Sequence, residues 1–219
     1  IGSCDGNVID SVEQYDPSTN AWEDEVVAPM PTARLDAGTA VLDGKLYVVG
    51  GEDVSDFYAI SDSVERYDFA ANSWEAVVPM AWARERFAVA VLDDKLYAVG
   101  GRSARWPLNI LSSVERYDPA TNAWEEVASM ATARYFHAVA VLDGKLYAVG
   151  GLNGGFLTSA ERYDPATNAW EEVAPMVTPR ENHAVAVLDG NLYAVGGWND
   201  DDQFLSSVER YDPATNAWE

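Results

Sequence analysis

Val141-Leu142-Asp143-Gly144-Lys145-Leu146-Tyr147-Ala148-Val149-Gly150-Gly151 returns almost letter for letter from Val41, Val91 and Val187. Two apolar runs, Ala138 to Leu142 and Lys145 to Val149, flank an Asp-Gly pair whose glycine accepts the positive φ of a tight primed turn. The stretch therefore reads as a two-residue β-hairpin. Its closing diglycine falls at Gly50-Gly51, Gly100-Gly101, Gly150-Gly151 and Gly196-Gly197, so the period is 50, 50 and then 46 residues. A period of that size marks an array of repeated supersecondary units.

A second phrase follows each hairpin. Residues 64–74, 114–124, 160–170 and 208–218, with an N-terminal copy at 12–22, read as a strand, an Asp-Pro turn and a returning strand, and only Phe69 breaks the turn chemistry. A unit is thus four short strands, a to d, and no helix-period stretch competes with them. Antiparallel four-stranded units that need neighbours to cover their faces are the blades of a β-propeller, with strand a lining the channel and d outermost. The chain supplies a half blade (1–30), blades at about 31–80, 81–130 and 131–176, and an incomplete blade (177–219). That is about 4.5 blades of an all-β, incomplete ring. Its open edges are expected to self-associate or to be completed within a longer chain or larger assembly.

Composition narrows the function classes. Among 219 residues, 48% are hydrophobic, enough for a sizeable core, and no apolar run reaches the ~20 residues of a membrane span. Acids outnumber bases 36 to 14, a formal charge of −22 that repels phosphate backbones and anionic lipid, so neither nucleic acid nor membrane insertion is expected. One cysteine, Cys4, and no Asn-x-Ser/Thr sequon point to a cytoplasmic, intracellular setting.

Diglycine, then Tyr-Asp, then Trp after a short turn, then Met and Arg: this order resembles the kelch repeat over essentially the whole chain, with Asp94, Asn191 and Phe69 as local departures. The resemblance implies a kelch-type propeller, commonly of six or so blades. In several kelch proteins that recognise peptides, the residue two after the link arginine and the residues just past the diglycine line the pocket. Here those places hold Asp36, Arg86, Phe136 and Asn182, and Glu52, Arg102, Leu152 and Trp198.

The repeats also act as an internal control, because a residue present in every copy serves the blade. The recurring Tyr and Trp read as inter-blade packing. Arg34, Arg84, Arg134 and Arg180, each four residues after a methionine, read as buried struts. His137 and His183 share one position with Ala37 and Phe87 and read as hydrogen-bonded core imidazoles. Phe156 and Phe204 align with Ile110, Ala59 and Val8 as a recurring apolar anchor.

What remains after subtraction lies on one face. The b-to-c loops and d-to-a links share that face, the loops varying from 13 and 13 to 9 and 11 residues, and loops on a rigid scaffold are where function concentrates. Among the cations only Arg86, Arg102 and Arg105 have no repeat equivalent. Either they meet an anionic partner or they neutralise neighbours such as Asp36, Glu52, Asp53 or Glu85. The aromatics left over are Phe57, Tyr58, Trp82, Trp106, Tyr135, Phe136 and Trp198, residue types that anchor interfaces.

Two functions follow. The first is a non-catalytic module binding a protein or peptide whose motif is anionic, through Arg86, Arg102, Arg105, Trp106, Trp82, Tyr135, Phe136, Asn182, Trp198, Asp36 and Glu52. The second, implied by kelch relatives, is a sugar-processing enzyme of sialidase or epimerase type, built on Arg86, Arg102, Tyr135 and Glu181. Cys4 is a poor match to the cross-linked cysteine of kelch copper oxidases. The acidic run Asn199 to Asp202 lacks the glycine and distal glutamate of a calcium loop, so no metal or cofactor is assigned.

Overall fold

The structure, a computed structural model, describes residues 3–4, 7–8, 10–23, 27–56, 59–200 and 204–219. Phe57, Tyr58, Asp201 and Asp202 lie outside these. Four four-stranded antiparallel sheets follow one another along the chain. They comprise Gly38–Leu42, Lys45–Val49, Val64–Asp68 and Ser73–Val77; Ala88–Leu92, Lys95–Val99, Val114–Asp118 and Ala123–Val127; Ala138–Leu142, Lys145–Val149, Ala160–Asp164 and Ala169–Val173; and Ala184–Leu188, Asn191–Val195, Val208–Asp212 and Ala217–Trp218. The pair Gln14–Asp16 and Ala21–Glu23 precedes them. The only helical element among the described residues is the single 3-10 turn Val54–Asp56, so no described helix could cross a membrane.

The hairpin that repeats in the sequence sets the register. Leu142 pairs with Lys145 and Val141 with Leu146, closing a two-residue turn in which Asp143 and Gly144 sit at φ 50° and 68°. Both central residues of a type I′ turn need positive φ, which Asp tolerates and Gly favours. Asp94 adopts φ 55° in the glycine's place, so the turn survives that departure.

Each blade meets the next through apolar side chains from facing sheets. Leu42, Tyr47, Val49, Val64 and Met80 pack against Phe87, Leu96, Ala98 and Tyr117, and the same set recurs one and two blades on. The outer-strand tryptophan of each four-stranded sheet adds a fixed bond. Trp74, Trp124, Trp170 and Trp218 donate their indole N–H to the carbonyls of Ala28, Val78, Ala128 and Ala174 at 2.8–3.0 Å, all in the preceding blade. The burial shows what a neighbour contributes: Leu142 is 4% exposed beneath the next blade, whereas its equivalent Leu188, with no described blade beyond it, is 59% exposed.

The variable b-to-c segments are more ordered than their lengths suggest. Arg102–Arg105 and Leu108–Ile110 form a ribbon of their own, and Glu52–Asp53 is the middle strand between Arg34–Leu35 and Ala59–Ile60. In the later blades the same place is taken by bridges, Tyr135 to Leu152 to Phe156 and Glu181 to Trp198 to Phe204. The diglycine permits this approach, for a Cβ on Gly101 (φ 92°) would stand 2.7 Å from the Glu85 carbonyl.

Candidate partner-binding face

The recurring link arginine fixes the segment that enters each inner strand. Arg84, fully buried, donates to the carbonyls of Gly100 and Ser113 at 2.8 and 2.9 Å and to Ser113 Oγ and Glu115, both at 2.9 Å. Glu115 also accepts the backbone N–H groups of Ala81 and Trp82. Every lone pair and proton has somewhere to go, as a buried ion pair requires.

Two residues further on, the chain turns left-handed at every blade: Asp36, Arg86, Phe136 and Asn182 sit at φ 50°, 53°, 54° and 48°. That geometry aims the backbone sideways into the next blade. Arg86 N–H donates to the Asp36 carbonyl (3.1 Å), Phe136 to Arg86 (2.9 Å) and Asn182 to Phe136 (3.0 Å). These four side chains crown the channel mouth, around a cavity of about 260 Å³ that His137 and His183 also line.

The unique arginines gather at this mouth. Arg102 pairs back to back with Glu85 through two backbone hydrogen bonds. A second cavity, about 370 Å³, is lined by Arg86, Arg102, Arg105, Trp106 and Leu108. Each guanidinium has an acid. Arg86 holds Asp36 at 2.8 Å, Arg102 holds Glu85 at 2.6 Å, and Arg105 pairs with Glu52 while standing 3.6 Å from Glu85. Two of them also lie over aromatic rings, Arg86 at 4.5 Å from the Phe136 centroid and Arg102 at 5.6 Å from that of Tyr135. One oxygen each of Asp36, Glu52 and Glu85 lies within 4.8 Å of the others, so three acids and three arginines form one charge-balanced knot.

Within the knot the acids differ. Burial and the neighbouring Glu52 push Glu85 up to about 7. Burial also raises Glu52, but hydrogen bonds from Glu85 and Arg105 outweigh it and hold this carboxyl below its usual range. Glu181, buried and with one oxygen lacking a hydrogen-bond partner, is raised by burial.

Of the residues singled out in the sequence, the structure brings together Asp36, Glu52, Arg86, Arg102, Arg105, Trp106, Tyr135, Phe136 and Asn182. Trp82 and Trp198 line neither of these two cavities. Trp198 instead meets Phe156 edge-on at 5.9 Å. Two expectations need correction. Phe204 is 92% exposed, so it anchors nothing; the strand position ahead of c faces solvent in this blade. His137 and His183 are buried, but neither ring nitrogen of His183 has a hydrogen-bond partner, whereas the His137 ring lies against the Val99 backbone. Leu108 and the central place of Glu85 were not visible as site features. The Trp-Pro turn at residues 106–107 was the available hint of a projecting ribbon, and Glu85 stood in the sequence only as one of four acids able to neutralise the arginines; of those four, Asp36, Glu52 and Glu85 do so.

The opposite face carries a larger depression, about 560 Å³, near the Asp-Gly turns. Its ion pairs, Lys45 with Asp68 at 2.8 Å and Lys95 with Asp118 at 2.7 Å, recur blade after blade and belong to the scaffold.

Blades of this connectivity, with diglycine-closed inner hairpins and tryptophan clasps, define a kelch-type β-propeller. Residues 2–151 match the KLHDC2/KLHL20/DRC7 Kelch-repeats domain, and residues 133–177 and 179–219 match the Kelch motif. The chain belongs to the kelch-repeat family. It is similar to Kelch-like protein 23 of Homo sapiens, 38% identical over 63 residues, which is 29% of this chain and 11% of that protein. It is also similar to Kelch-like protein 15 of Danio rerio, 40% identical over 65 residues, 30% of this chain and 10% of that protein. The matches thus span about a tenth of these curated relatives. A solved structure, "Structure of YjhT", superposes with a TM-score of 0.81 over 95% of this chain and 74% of that one, at 15% identity, a likeness of fold alone.

Proposed function

We propose that this chain is a non-catalytic binding module that captures a protein or peptide segment carrying a carboxylate or other anion at the channel mouth. The observation that carries the reading is the convergence of the three arginines without repeat equivalents on one cavity, beside Trp106, which is 93% exposed. Guanidinium forks bond carboxylates in a defined orientation, and an exposed aromatic supplies contact area. The family supports the reading through its Kelch-like relatives. The enzyme alternative draws on the same Arg86 and Arg102, whose pairing with Asp36 and Glu85 bears on both readings alike, and it lacks the support that the Kelch-like relatives give to binding.

The test is an affinity series on any partner recovered by pull-down. Arg86→Glu and Arg102→Glu are expected to weaken binding about tenfold or more, and Trp106→Ala by about 2 kcal/mol. Thr121→Glu, on the opposite face, should leave it unchanged. If Thr121→Glu abolishes binding and the other three retain it, the site lies on the turn face and the proposal fails.

A further inference from the structure

We propose that capture of a carboxylate at this cavity takes up one proton, held between Glu52 and Glu85, so that binding strengthens as the medium turns acidic. The inference rests on the site proposed above and concerns its regulation.

The charge count leads to it. Arg86, Arg102 and Arg105 face Asp36, Glu52 and Glu85, three against three, so a fully ionised knot is neutral and offers an incoming anion no net attraction. The rest of the chain, at −22, repels it. One proton on the acids leaves the knot at +1, enough for a single carboxylate. Glu85 is the group placed to carry it. It is 0% exposed, its Oε1 already accepts Arg102 at 2.6 Å, and its Oε2 is buried with no hydrogen-bond partner. A buried carboxylate oxygen without a donor is costly when ionised and is relieved by bearing a hydrogen itself. The neighbouring Glu52, held on the other side by Arg105, is the acceptor for that hydrogen.

The other charged and titratable groups around Glu85 agree. On its own segment Arg84 is committed to Glu115 and Arg86 to Asp36; from the adjoining ribbon come Arg102 and Arg105, and from the preceding blade Glu52 and Asp36. Tyr135 lies under Arg102 from the following blade. The carboxyl value of about 7 places the exchange within reach of ordinary conditions. When a ligand carboxylate takes over Arg102, Glu85 loses its stabilising partner and holds the proton more firmly, so that ligand and proton bind cooperatively.

The experiment uses the whole chain and one probe, the capped peptide acetyl-Gly-Phe-Asp-Phe-Gly-amide, whose carboxyl stays ionised between pH 5.5 and 8.5. Affinity is read from protein NMR shifts at both pH values, and the Glu85 side-chain carbon is titrated with and without peptide. If only the protonated knot binds, affinity should fall about 30-fold by pH 8.5. Glu85→Gln, a neutral isostere, should bind at pH 8.5 as the wild type does at pH 5.5, and the Glu85 midpoint should rise when peptide is present. Equal wild-type affinity at the two pH values, lost in Arg102→Gln, would overturn the proton coupling while leaving the site in place. A midpoint unmoved by saturating peptide would overturn it too. Absence of binding at either pH would rule out proton-linked capture of a lone carboxylate, whereas the pull-down series judges the site itself.

Discussion

Arg84 and Glu115 stand 2.9 Å apart with side chains 0% and 1% exposed, and the acid also holds the two backbone N–H groups that open the link to the inner strand. Removing the acid strands a buried guanidinium and two donors at once. Glu115→Ala is therefore expected to cost about 3–5 kcal/mol of folding stability. Glu125→Ala, which removes the partner of Arg116 on a solvent-exposed strand, should cost no more than about 1 kcal/mol. Urea unfolding of the two variants against wild type decides it; equal costs would mean that the strut is not a strut.

The two buried histidines make stability fall in acid. Burial lowers His137 well below its ordinary value and His183 to about 4, with Arg134 and Arg180 adding to the shift. An unfolded chain binds these protons near pH 6.5 and the folded chain refuses them. Their stabilising effect is therefore full above pH 6.5 and is lost as pH falls from there towards 4, by about 1.4 kcal/mol per pH unit for each histidine. Phe87 fills the same position two blades before His183, against Gly50 as His183 packs against Gly150. His183→Phe should lower the acid slope by one histidine's share, about 1.4 kcal/mol per pH unit, and leave stability at pH 8 within about 1 kcal/mol. An unchanged slope between pH 6.5 and 4.5 would refute the account.

Left-handed backbone suits Asp36 and Asn182 but not Arg86 and Phe136, whose side chains crowd the following carbonyl. Bulky residues in that state persist where the surrounding structure over-determines them, and they cluster at functional sites. Arg86→Asn and Phe136→Asn are each expected to raise stability by about 1 kcal/mol while weakening partner binding. Thermal melts and the same affinity assay measure both; a variant that loses stability and keeps full affinity would show that these residues serve the scaffold instead.

Much of this molecule could be read from its repeats because the determinants are local. The Asp-Gly and Asp-Pro turns, the alternation in each strand and the spacing from Met to Arg sit within a few residues of one another, and five copies of Trp and Tyr expose the inter-blade clasp by recurrence. Subtraction likewise isolated Arg86, Arg102 and Arg105. Their counter-charges were legible as a short list, Asp36, Glu52, Asp53 and Glu85, three of which form the observed pairs. The list does not show that Glu85 takes the central place, which it does because a ribbon 17 residues later folds back over it and Glu52 reaches it from the preceding blade. Phe204 failed for a different reason: its equivalent Phe156 meets Trp198 of the following blade, and no described blade follows Phe204.

The ladder from Asp36 to Arg86 to Phe136 to Asn182 is made of peptide groups alone. Its consequence is a division of labour within single residues: the main chain of each rung ties adjacent blades together by itself, so the side chains can be exchanged without cutting the ladder, even where Arg86 also reaches Asp36 and Phe136. An acid, a base, an aromatic ring and an amide already occupy the four rungs of one molecule. Such a rim behaves like a row of identical mounts with exchangeable fittings, and a new ligand preference can arise there by single substitutions that leave every bond of the mount intact.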